Sequence, residues 1–192
     1  MTDREPYDHL PHRRLARDLG ALDQALYEAV TVTETPALDE ALRRLSAAAD
    51  HSKISLTVAG LLALLPGRPR RAALLGVAAV GVASASANLI GKKLVRRRRP
   101  HRAEDSPFPG RHVPMPQSAS FPSGHTASAV AFAAAVGPAL PLSTVPLGLL
   151  AVAVGYSRVH TGVHYPGDVI AGALLGTGAA AVVLATAGRE SR

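Results

Sequence analysis

Two stretches of nineteen residues, Ala72–Ile90 and Val169–Ala187, carry no charged side chain. A bilayer-spanning helix needs about 20 mainly apolar residues, and a soluble domain of this size rarely supplies two such runs. Three shorter apolar runs, Ile54–Leu65, Ala127–Val136 and Val145–Tyr156, complete a set of five. The sequence therefore predicts an all-α, integral membrane helical bundle with spans at about 52–66, 72–91, 123–139, 142–157 and 166–187. Its small residues, among them Gly76, Ala79, Gly81, Ala83, Gly172 and Gly176, suit close packing between membrane helices. A soluble Ala-rich bundle is the alternative.

The remaining residues are segregated by charge. Residues 1–50 hold ten Asp/Glu against six Arg, whereas residues 92–111 hold eight Lys/Arg against two acids. Leu15, Leu19, Leu22, Leu26 and Val30 recur at helical spacing, as do Leu38, Leu42 and Leu45, with Thr35-Pro36 between the two stripes. Two amphipathic helices are expected at 8–30 and 37–49. They either cap the bundle or lie on lipid. Residues 1–51 are thus read as an amphipathic N-terminal segment and 52–192 as the membrane-embedded domain. The first fifty residues show no apolar core of a signal peptide, so internal segments are expected to direct insertion.

The overall charge of +7 fits nucleic acid, anionic lipid or a phosphorylated substrate. Nucleic acid is disfavoured, because the basic residues crowd one loop beside uncharged spans and aromatics are scarce. With no cysteine in the chain, Cys-ligated metals and Cys nucleophiles are excluded.

Five spans put the loops at 92–122 and 158–165 on one face of the membrane. Those loops hold three polar clusters: Lys92–Pro100, Phe121–His125 and Ser157–Asp168. Together they offer fixed cations, two histidines and a carboxylate. Cations beside the first turn of a helix starting at Ser123-Gly124, with Pro122 suiting that turn, make an anion site. His164 and Asp168 are spaced i, i+4 and face each other if the chain there is helical, so a carboxylate can fix one imidazole nitrogen and leave the other as nucleophile or base. His125 can then act as the acid for a leaving group.

Lys92-x6-Arg99-Pro100, Pro122-Ser123-Gly124-His125 and Ser157-Arg158-x5-His164-x3-Asp168 resemble the three signatures of the type-2 phosphatidic acid phosphatase family, in order and in spacing. The resemblance covers about residues 52–187. It implies a metal-independent membrane enzyme without cofactor that hydrolyses a lipid phosphate or diphosphate through a phosphohistidine. His164 would be the nucleophile, Asp168 its orienting partner and His125 the acid and then the base. Lys92, Arg99, Ser123, Gly124 and Arg158 would hold the phosphoryl oxygens. A polyprenyl-linked substrate is favoured, with phosphatidate, diacylglycerol diphosphate and phosphatidylglycerophosphate as alternatives. A haloperoxidase-like enzyme using vanadate and an inactive lipid-binding relative are the rivals from other classes. A homo-oligomer is left open.

Other residues receive plainer expectations. Arg96, Arg97 and Arg98 read as a juxtamembrane basic run that attracts anionic lipid, and Lys93 as an interfacial residue. His112 and His160 read as solvated or satisfied loop residues, and Asp50 or Ser52 as a cap of the first span. Arg68, Arg70, Arg71, Arg189 and Arg192, against Glu190 alone, mark the opposite face as cytoplasmic. The clusters of interest would then face outward from a bacterial cell membrane.

Overall fold

The computed structural model describes residues 11–102 and 108–190, and these form helices joined by turns and loops, with no strand among them. The helices are α1 (Pro11–Val32), α2 (Pro36–Ala48), α3 (Lys53–Ala63), α4 (Arg68–Ala85), α5 (Lys92–Leu94), α6 (Gly124–Val136), α7 (Thr144–His160) and α8 (Pro166–Glu190). The expected junction is present, with Thr35 as N-cap of α2 and Pro36 at its first position, where a missing N–H costs nothing. The expected beginning of α1 at residue 8, and Arg192, lie outside the described residues.

Helix α6 is the axis of the bundle, with α4, α7 and α8 packed around it and α3 against α4. Three stretches are long and apolar enough to cross a membrane among the described residues: Arg68–Leu94, Pro141–His160 and Pro166–Arg189. At 13 residues α6 is shorter, about 20 Å at 1.5 Å per residue. Neighbouring helices enclose it, so its ends meet protein rather than hydrocarbon, and a short helix suffices.

Alanine and glycine make this closeness possible. Ala79 and Ala83 of α4, Ala127, Ala131 and Ala135 of α6, and Ala179 and Ala180 of α8 form one buried cluster. Gly172 and Gly176 bring α8 against the α6 backbone: a Cβ on Gly172 would meet the Ser123 carbonyl oxygen at 2.5 Å, and one on Gly176 would collide with that of Ala127. Gly176→Ala should therefore force α8 away from α6 and cost about 1–3 kcal/mol, the usual scale of overpacking. Gly178→Ala, with nothing near its added methyl, should be neutral. Thermal unfolding of the two variants in detergent separates them.

Helix α4 does not run regularly to its end. Ser86–Gly91 forms a π-helical stretch before α5. At its close Gly91 lies against the Pro122 ring, with Pro122 Cδ only 2.5 Å from where a Cβ would be. Wide turns of this kind re-aim the side chains just beyond them, here Lys92.

Polar bonds tie the N-terminal segment to the bundle. Ser46 meets Thr161 at 3.2 Å, and the His160 Nε2 contacts Thr35 Oγ1 at 2.9 Å and Asp39 Oδ1 at 3.1 Å. His160 is thus buried at the end of α7 and locks the N-terminal segment there, where a loop residue was expected. Tyr27 of α1 packs on Tyr165 with ring centroids 5.3 Å apart. The leucine stripe on the other side of α1 finds no such cover, with Leu15, Leu19 and Leu22 all more than half exposed. Leu26 and Val30 share an apolar groove with Val152, Tyr156 and Ile170 of α7 and α8.

Candidate active site

All the polar clusters meet at one end of the bundle. They surround a cavity of about 460 Å³, lined by Lys92, Arg99, Gly124, His125, Arg158 and His164 among others. Ser84, Asn88 and Ser128 of α4, its π-helical end and α6 line it as well, as do Val113, Pro114, Met115, Pro116 and Ser118 of the loop before α6.

His164 follows α7 in the turn before α8, and Asp168 sits in the first turn of α8. The Nδ1–H of His164 donates to Asp168 Oδ2 at 3.3 Å, and Nε2 faces Arg99 Nη1 at 3.2 Å. An arginine can only donate, so Nε2 carries the lone pair and Nδ1 the proton. Burial pulls the His164 pKa down to about 4, against the Asp168 hydrogen bond, and Arg99 and Arg158 push the same way. His164 is therefore neutral over the physiological range, with Nε2 available as a nucleophile. The linkage has a definite sign: the folded value lies below the unfolded value of about 6.5. Stability from the neutral ring is complete above pH 6.5 and is lost as pH falls toward 4. Melting curves of wild type and His164→Gln between pH 4 and 7 should converge on acidification, by up to about 1.4 kcal/mol per pH unit.

Asp168 is fully buried and fully engaged. Besides His164, its Oδ2 accepts the Tyr165 N–H at 3.0 Å, and its Oδ1 accepts Arg97 Nη1 at 3.0 Å. Arg97 lies with its guanidinium carbon 4.1 Å from the Tyr165 ring centre and reaches Asp23 of α1 through Nη2 at 2.6 Å. Asp23 Oδ1 also accepts the Gly167 N–H at 2.6 Å, capping the start of α8. Arg97 is thus part of a chain Asp23–Arg97–Asp168–His164, and the expectation that it merely attracts lipid is corrected. A run of four arginines gives no signal that marks the second one.

The cations differ in what holds them. Lys92 Nζ donates to Asn88 Oδ1 at 2.7 Å. Arg99 is fixed by the carbonyls of Val163 and Ser118, each at 2.8 Å. Burial lowers its pKa, but it stays cationic at any working pH. Arg158 is 1 % exposed; its Nη1 donates to the Ser46 carbonyl and hydroxyl at 3.1 and 2.8 Å. Its Nε is buried with no hydrogen-bond partner among the described residues. An orphaned donor on a buried cation fits an anion that completes the site.

Ser123 is the N-cap of α6 and accepts from Thr126 N–H and Oγ1 at 3.4 and 3.0 Å. Pro122 therefore precedes the helix rather than opening its first turn. Ser123 is wholly buried and does not line the cavity; Gly124 does, with open space where a side chain would stand. The first N–H groups of a helix have no partner within it, so Gly124 offers the cavity a backbone donor.

His125 Nε2 pairs with Asp50 Oδ1 at 2.7 Å. Asp50 was expected to cap a helix, but no side-chain cap bond forms at that turn or at the start of α3. Sequence reasoning missed Asp50 as a cavity residue, although its place just before the first span put it on the correct face.

The PAP2 superfamily model matches residues 72–192. The chain belongs to this superfamily. A decaprenylphosphoryl-5-phosphoribose phosphatase of Mycobacterium tuberculosis is 38% identical over 163 residues, 84% of this chain and 87% of that protein. Among solved structures, the transmembrane PAP2-type phosphatidylglycerolphosphate phosphatase of Bacillus subtilis superposes with a TM-score of 0.71 at 22% identity, over 95% and 89% of the two chains. Aquifex aeolicus LpxE does so with 0.68 at 24%, over 85% and 94%. These likenesses make the fold that of a membrane PAP2 protein. As a PAP2 protein with phosphatase relatives, the chain is a phosphoric monoester hydrolase.

Proposed function

We propose that the enzyme removes a phosphate group from a polyprenyl-linked lipid through a phosphohistidine on His164. One observation carries this reading: His164, whose Nε2 faces Arg99, lines a cavity that also gathers His125 and three fixed cations. In the first step Nε2 attacks phosphorus, the ester P–O bond breaks, and His125 protonates the departing oxygen. In the second step water attacks, His125 takes its proton, and the P–N bond breaks to release phosphate. Lys92, Arg99, Arg158 and the Gly124 N–H neutralise the phosphoryl oxygens, and Ser123 fixes the helix end that presents Gly124. Asp168 holds the Nδ1 proton and balances the positive ring. This is phosphoryl transfer by positioning and charge stabilisation.

The polyprenyl assignment draws support from the M. tuberculosis relative, whose name gives a decaprenyl-linked sugar phosphate as its substrate. The apolar helices around the cavity suit a substrate whose tail remains in lipid. Charge supports the orientation: Arg68, Arg70 and Arg71 open α4 at the end away from the cavity, which the positive-inside tendency assigns to the cytoplasm. The cavity then faces the outside of a bacterial cell membrane. Residues 52–192 are the membrane domain in this reading. Residues 11–51 cover its outer end, with the bare leucines of α1 lying along the lipid surface.

Phosphate release by detergent-solubilised protein tests the assignment. The panel holds polyprenyl monophosphate, polyprenyl diphosphate, a polyprenyl-linked sugar phosphate, phosphatidate and phosphatidylglycerophosphate. A polyprenyl lipid is expected to be turned over best, and EDTA to leave the rate unchanged. Preference for a glycerolipid would overturn the substrate assignment, and a strict metal requirement would overturn the cation-only phosphate site.

A further inference from the structure

One carboxylate in the cavity has no part in the steps above. Asp50 lies in the turn Asp50–Ser52 between α2 and α3. Two consecutive residues of that turn, His51 and Ser52, hold left-handed backbone with φ of 54° and 58°. Neither is glycine, and such conformations persist where the surroundings demand them, often at functional sites. The turn brings Asp50 between two groups of the site. Its Oδ1 lies 2.7 Å from His125 Nε2 and 3.7 Å from Arg158 Nη1. A carboxylate beside the phosphate-holding cations weakens their pull on an anionic substrate, so its value lies in what it does for His125.

We infer that Asp50 is a positioning residue that keeps a proton on His125 Nε2, making Nδ1 the atom that exchanges protons with the substrate. An ionised carboxylate only accepts, so the Nε2–H must point to it. The two histidines of the site are then mirror images. His164 gives its Nδ1–H to Asp168 and works through Nε2; His125 gives its Nε2–H to Asp50 and works through Nδ1. The inference rests on the phosphatase reading above and adds the atom-by-atom proton path. When His164 Nε2 bonds to phosphorus and the ester P–O bond breaks, its electron pair goes to the leaving oxygen. That oxygen takes the Nδ1 proton of an imidazolium held beside Asp50. The ring becomes neutral with Nε2–H still on the carboxylate. When water attacks the phosphohistidine, Nδ1 takes the water proton and the P–N electron pair returns to His164. Asp50 stabilises the imidazolium at both ends of this cycle.

Such a residue matters in proportion to how badly the leaving oxygen needs a proton. Turnover of p-nitrophenyl, phenyl and alkyl phosphates by wild type, Asp50→Asn, Asp50→Glu and His125→Ala reads this directly. Asp50→Asn is expected to lower kcat by about 100-fold on the alkyl ester, the lower scale of general acid catalysis, and by less than about threefold on p-nitrophenyl phosphate. Asp50→Glu should restore most of the alkyl rate, and Asp50→Asn should cost nothing further on top of His125→Ala. Equal loss on all three esters would overturn the inference. So would a rise in KM with kcat unchanged, which would make Asp50 a partner of Arg158 alone, or additive losses in the double variant. If Asp50→Asn does not fold, Asp50→Ser carries the test: loss graded by leaving group supports the role, and flat loss or no loss overturns it. Wild type inert on every ester and lipid would instead sink the phosphatase reading. A flat profile in an otherwise active enzyme sinks only the role of Asp50.

Discussion

Replacing His164 by alanine is expected to abolish phosphate release on every substrate, by a factor on the order of 10⁴ or more, as removal of a nucleophile does elsewhere. The protein should stay folded, because the ring is held by one bond to Asp168 and one to Arg99, both of which keep other partners. Acid-labile, base-stable labelling by a radioactive phosphate ester should vanish with the turnover. Persistent turnover would remove His164 from the chemistry and leave His125 as the alternative nucleophile.

Asp168→Asn should be nearly as severe, on the order of 10⁴-fold in kcat, the scale seen when the carboxylate of a serine-protease triad becomes an amide. The side chain keeps its shape, but its amide can donate to Nδ1. The His164 proton then moves to Nε2, the wrong atom for attack. The substitution also removes the charge that Arg97 meets on one side, leaving that guanidinium with Asp23. The contrast with Arg97 is informative. Arg97→Lys retains a positive charge but cannot bridge Asp23 and Asp168 with two separate nitrogens. A fall in kcat for Arg97→Lys, with Arg96→Lys and Arg98→Lys near wild type, would show that the bridge matters rather than the charge of the loop. Three equal rates would show the opposite.

Much of this site was legible because its chemistry is written in short, rigid spacings. His164 and Asp168 stand four positions apart, and the short turn into α8 brings their side chains together although His164 precedes the helix. Pro122 to His125 sits at a helix start, where local rules fix the backbone. The five apolar segments could be found from the absence of charge. What escaped is what depends on distant partners. Asp50 and Asp23 reach the site from the N-terminal segment across 75 and 145 positions of sequence to His125 and Asp168, and nothing in their neighbourhoods distinguishes them from ordinary helix-surface acids. Arg97 differs from Arg96 and Arg98 only in the direction the chain gives it. The π-helical stretch Ser86–Gly91 ends with Gly91 against Pro122, a contact between a helix and a distant loop that no periodicity announces.

The cavity has two unlike linings, the helices that carry Ser84, Asn88 and Ser128 and the loop that carries Val113, Pro114, Met115, Pro116 and Ser118. In the proposed reaction the two products part company there. Orthophosphate has no solubility in hydrocarbon and departs into water; the polyprenyl product keeps its tail in the bilayer. Resynthesis would require both to return to one chamber from separate phases. Partition at this boundary thus adds to the favourable free energy of hydrolysis and holds the products apart.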